Sequence, residues 1–68
     1  MTLEEIHAAL DKIEEVKNDD ERAHELEDQL YEDFINHVSI SGGTDHQLAE
    51  KASLVLESRM IPFERWCA

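Results

Sequence analysis

Apolar residues recur along the first part of the chain at Leu3, Ile6, Leu10, Ile13 and Val16, in steps of three and four. Such steps put side chains on one stripe of an α-helix and leave Glu4, Asp11 and Glu15 facing water. Thr2-Leu3-Glu4-Glu5 opens the stretch in capping-box form, with the Thr hydroxyl placed to accept the Glu5 amide and Glu5 to reach back to the amide of Thr2. The pattern predicts a helix over 3–17. Lys17-Asn18-Asp19-Asp20-Glu21 interrupts it. Asn18 or Asp19 suits the cap of a second helix, and Asp20 and Glu21 favour the positive end of its dipole.

The second stripe, Ala23, Leu26, Leu30, Phe34 and Val38, widened by Tyr31 and Ile35, predicts a helix over 19–39 whose apolar arc touches two neighbours. Residues 39–45, SISGGTD, read as a loop. There Gly42 or Gly43 supplies the left-handed conformation that ends a helix, and Thr44-Asp45-His46-Gln47 repeats the capping box. A third helix over 45–60 follows, with Leu48, Ala49, Ala52, Val55, Leu56 and Met60 on its buried side. Leu54 lies roughly 120° from that stripe at about 100° per residue, so it is expected to be exposed unless the tail or a second protein covers it. Pro62 ends the helix and allows one further turn over 62–66. The fold class is all-α: one domain over 1–68, as a small three-helix bundle or a helical hairpin with a third helix laid across it.

Composition narrows what such a bundle does. Of 68 residues, seventeen are acidic and six are Lys or Arg, a formal charge of −11. Thirteen acids and three basic residues fall in residues 1–36, against four and three in the remainder, so the acidity sits on the first two helices. This balance disfavours direct nucleic-acid binding, which draws on Lys and Arg at phosphates. No stretch approaches the roughly 18 to 20 apolar residues that cross a bilayer. One cysteine makes no internal disulfide, and with no apolar signal-peptide core the expectation is a soluble cytoplasmic protein. A chain this short buries only about 60% of its unfolded surface, so oligomerisation, a metal or very regular packing has to support the core.

Candidate chemistry is sparse. Glu4/His7 and Glu21/His24 are Glu-x-x-His pairs of the kind seen in di-iron bundles, but both Glu residues project from the polar faces. His37 follows Asp33 by four residues, which allows an Asp-His contact on one helix face. No nucleophile adjoins it and no glycine-rich phosphate loop exists, so no catalytic residue, cofactor or metal ligand is assigned. Glu21, Glu25, Asp28 and Glu32 form a carboxylate ladder on the second helix, suited to meeting a basic surface. Leu54, Met60, Phe63 and Trp66 would together make an apolar patch. Phe63 and Trp66 fold back over the bundle with Arg59 or Arg65 stacked on the indole, or else anchor a dimer or a partner, since Trp and Arg are frequent binding hot spots.

Residues 30–39, LYEDFINHVS, the short glycine-containing gap, residues 48–59, LAEKASLVLESR, and the terminal FERWCA resemble small acidic helical proteins of actinobacteria and their phages. The resemblance covers roughly the last forty residues and carries no functional residues. It implies an intracellular bacterial or phage setting, in which small acidic proteins act by binding a host protein.

The leading expectation is therefore a non-enzymatic interaction module for a protein with a basic surface, with Glu21, Glu25, Asp28 and Glu32 as one face and Leu54, Met60, Phe63 and Trp66 as another. The runner-up is a homodimer formed through the apolar patch. The third is a metal-binding bundle using His7 and His24.

Overall fold

Thr2 closes the first turn of the chain as its residue type dictates: its hydroxyl accepts from the Glu5 amide at 3.1 Å, and Glu5 accepts from the Thr2 amide at 2.8 Å. The bond from the Thr2 amide, helped by the Thr2 side chain, holds the Glu5 carboxyl below its usual range. In the computed structural model, which describes residues 1–65, helix α1 runs from Leu3 to Glu15. It ends two residues sooner than the stripe suggests. A turn over 16–18 follows, and Asp19 caps α2 (Asp20–Ser41) by accepting from the Arg22 amide at 3.1 Å. Helix α2 continues two residues past the expected limit, through Ser41.

Neither glycine of the loop adopts a positive φ, which corrects the expected left-handed helix ending. Gly42 stays right-handed, with its amide donating to the Val38 carbonyl. A methyl group at Gly42 would stand 2.6 Å from that oxygen, so the position favours glycine for want of space, not for its backbone angle. The second capping box does not form either. Thr44 donates its hydroxyl back to the Ser41 carbonyl at 3.2 Å, and Asp45 turns its side chain to the Gln47 amide at 2.8 Å. This local aspartate turn competes with helix geometry. Helix α3 consequently starts at Leu48 and ends at Leu56, and a 3₁₀ turn spans Glu57–Met60. Residues 62–65 form no helical turn. They run as a strap along the start of α2, where the Glu64 amide donates to Asp20 Oδ1 at 3.1 Å.

The three helices pack pairwise into a small all-α bundle, α1 touching both others. Its core consists of Ile6 and Ile13 from α1, Ala23, Leu30 and Phe34 from α2, Leu54 and Val55 from α3, and Ile61. Leu54 is thus a correction: it is buried, whereas Leu56 and Met60, expected inside, are 62% and 83% exposed. The buried stripe of α3 and the 3₁₀ turn after it is Lys51, Leu54, Val55 and Ser58. Two of its four members are polar, so their hydrophobicity pointed to the wrong face. No buried side-chain nitrogen or oxygen among the described residues lacks a partner.

Candidate functional site

Two part-buried polar clusters fix the faces that the helices present. The first centres on Asp45. Its Oδ2 accepts from Lys51 Nζ at 2.7 Å and from His37 Nε2 at 2.5 Å, while the Met1 nitrogen lies 3.0 Å from His37 Nδ1. The hydrogen bonds from Lys51 and His37, with the Gln47 amide, hold the Asp45 carboxyl well below the usual carboxylate range. His37 therefore pairs across the loop with Asp45, not along the helix with Asp33, which accepts from Gln29 Nε2 at 2.8 Å.

The second cluster joins the strap to α2. Arg65 Nε and Nη2 bond the two oxygens of Glu27 at 2.8 and 3.0 Å, and Nη2 also donates to the carbonyls of Ser58 and Ile61. Its guanidinium carbon lies 3.8 Å from the centre of the Phe63 ring. Burial raises the Glu27 carboxyl, but bonds from Arg65 and Ser58 outweigh it and leave the group below its ordinary value. Tyr31 Oη and the buried Ser58 Oγ meet at 3.0 Å beside this pair. A cation–π contact joins Arg65 to Phe63, whereas the expected one placed Arg59 or Arg65 on the indole of Trp66. Trp66 lies outside the described residues.

These clusters leave one side of α2 free. Glu21, Glu25, Asp28 and Glu32 are all exposed, as the ladder requires. Arg22 approaches Glu25 at 3.6 Å and His24 approaches Asp28 at 3.2 Å, whereas Glu21 and Glu32 have no ion-pair partner among the described residues. The apolar patch does not assemble as expected: Leu54 is in the core, Phe63 is half-buried under Arg65, and Met60 stands in solvent.

An apolar depression lies elsewhere, between α2 and α3. It encloses about 250 Å³ and is lined by Tyr31, Phe34, Ile35, Ala52, Val55 and Leu56. Ile35, 65% exposed, and Leu56 stand on its rims. Ile35 comes three residues after Glu32, so it occupies the next step of the carboxylate ladder. The reading that assigned Ile35 to the core missed this site; the continuation of the 21-25-28-32 spacing to 35 is the signal that reveals it.

His7 is exposed and His24 is occupied with Asp28, and the described residues contain no group of three His, Cys, Asp or Glu side chains arranged to hold a metal. No helix among them is long and apolar enough to cross a membrane. No protein-family description matches the chain, and no curated protein or solved structure shows significant similarity to it.

Proposed function

We propose that this chain is a non-enzymatic interaction module that binds a protein partner through a basic surface. The observation that carries this reading is the exposed side of α2, where the acidic ladder and the rim of an apolar depression share one row of positions. Acids held at helical spacing draw a basic partner from a distance on the order of a Debye length, about 10 Å at 0.1 M salt, and apolar contact then holds it. The excess of negative charge disfavours nucleic acid as the direct ligand. The resemblance to proteins of actinobacteria and their phages supports a partner in a bacterial cell, with the chain acting as a modulator or inhibitor.

The test compares the wild type with a chain carrying Glu21→Gln, Glu25→Gln, Asp28→Asn and Glu32→Gln, both immobilised and exposed to a bacterial lysate at low and high salt. The reading expects at least one basic protein, identified by mass spectrometry, to be retained by the wild type at low salt, released by high salt and ignored by the neutralised ladder. Equal retention by both chains, or none by either, removes it.

A further inference from the structure

We infer that the depression between α2 and α3 is the seat of a single amphipathic helix from the partner, its apolar ridge laid between Ile35 and Leu56 and its basic residues running along Glu32, Asp28, Glu25 and Glu21. This rests on the proposed role of the acidic face and adds the form of the occupant, its placement and its polarity.

The form follows from the walls. Both are helices whose backbone groups are already bonded within them, so no sheet edge is offered to an extended peptide. An apolar furrow between two antiparallel helices instead takes the ridge of a third, with side chains at i, i+3 or i+4, and i+7. Tyr31 and Phe34 on one side and Ala52 and Val55 on the other form the floor, with the small Ala52 allowing close approach. Isolated exposed apolar side chains are ordinary on a protein surface. Here the exposed Ile35 and Leu56 flank one apolar hollow from opposite sides, and Met60 extends the Leu56 side four residues on.

Charge fixes the placement. On α2 the row that ends in Ile35 is acidic from Glu21 to Glu32, whereas the outward row of α3, Ala49, Ser53 and Leu56, continued by Met60 of the 3₁₀ turn, carries no charge. The occupant therefore carries its Lys and Arg on the flank that faces α2. From Ile35 back to Glu21 is fourteen positions, about 21 Å at the helical rise, so an occupant of about 15 residues spans both parts and one of about 20 overhangs by roughly a turn. Its apolar segment and its basic segment are consecutive along its axis, because the hollow lies opposite residues 31–35 and most of the ladder lies before them.

A second copy of the chain fits poorly through either of its acidic helices. Seating its α1 or α2 in the hollow would bring acids against the acidic row, and like charges across a contact oppose association.

The experiment pans a displayed library of helical peptides of about 20 residues, varied independently in apolar spacing and in charge, against the folded chain. Enriched peptides are then titrated by fluorescence anisotropy. The expected winners combine an apolar i, i+3/i+4, i+7 ridge with Lys or Arg continuing along one flank. Their affinity should fall at least tenfold with Ile35→Glu, at least tenfold with Leu56→Glu, and similarly with the neutralised ladder or with raised salt. Both apolar sites are largely exposed, so thermal melts should show these variants folded; Leu56→Ala serves as a milder second variant. Winners without an apolar ridge, or winners bound equally by the folded Ile35→Glu and Leu56→Glu chains, would overturn the inference while leaving the acidic face as the binding surface. Winners that need the hollow but ignore both salt and the ladder would overturn the role of the acidic face itself. A concentration-dependent dimer abolished by Ile35→Glu would give the hollow to a second copy and also defeat the proposal.

Discussion

Arg65 divides one guanidinium among the carboxylate of Glu27 and the carbonyls of Ser58, Ile61 and Phe63, while stacking on the Phe63 ring. Removing it leaves Glu27, whose side chain is 3% exposed, as an uncompensated charge in the bundle. Breaking a buried pair from one side costs about 3 to 5 kcal/mol, and the partial exposure of Arg65 argues for the lower end. Arg65→Ala is therefore expected to lower unfolding free energy by about 3 kcal/mol in a denaturant titration, and Arg65→Lys to recover only part of the loss, since an ammonium lacks the planar fork. Asp45 makes a pH prediction. Its folded carboxyl titrates below its unfolded value, so its stabilising effect is complete above the ordinary Asp range near pH 4 and disappears as pH falls through the lower folded value. The wild type should melt above Asp45→Asn at pH 7, and the gap between the two melting temperatures should narrow steadily below about pH 4. A gap constant with pH would mean that the Asp45 charge is not what joins His37 and Lys51.

At the scale of the helix, α1 was legible because apolar spacing and caps agreed, and α2 in its cap and in Ala23, Leu30 and Phe34, although Ile35 and Val38 of its stripe are exposed and Glu27 is buried. Helix α3 was not, for a physical reason. The inner face of the helix and its 3₁₀ extension holds Lys51 and Ser58, each made tolerable by a partner contributed from elsewhere: Asp45 for the ammonium, Tyr31 for the hydroxyl. Its outer face carries Leu56 and Met60. Hydrophobicity alone therefore put the helix roughly a third of a turn out of phase, keeping Val55 inside but turning Leu54 out and Leu56 in, and no local pattern encodes a partner that arrives through folding. The corrected phase is testable with two truncations of the same chemistry. Leu54→Ala should cost about 2 to 5 kcal/mol, as a buried Leu→Ala change does, whereas Leu56→Ala should stay within about 0.5 kcal/mol. The same reversal explains why the candidate site moved. Once Leu54 turns inward, the outward Leu56 faces Ile35 across the hollow, and the acidic ladder that was visible in the sequence gains an apolar neighbour that was not.

The described residues measure 37 × 19 × 14 Å with a radius of gyration of 12.1 Å, larger than the roughly 11 Å of a typical domain of this length. Helix α2 sets the long dimension, since its 22 residues account for about 33 Å. In so thin a body one helix is both core wall and outer face, so each buried polar tie serves the surface opposite it. The ties differ in their span along the chain. Those of Asp45 join residues six to eight positions apart, whereas the bond from Arg65 to Glu27 closes thirty-eight. Short loops close before long ones, because each closure costs entropy that grows with length. The corner of α2 and α3 should accordingly be formed in the folding transition state, and the strap should dock after it. In stopped-flow measurements Asp45→Asn is expected to slow refolding, while Arg65→Ala leaves refolding almost unchanged and speeds unfolding by about a hundredfold, the rate equivalent of its lost stability. The guanidinium on Glu27 is then a brake on opening, and it sets how long the bundle persists once made.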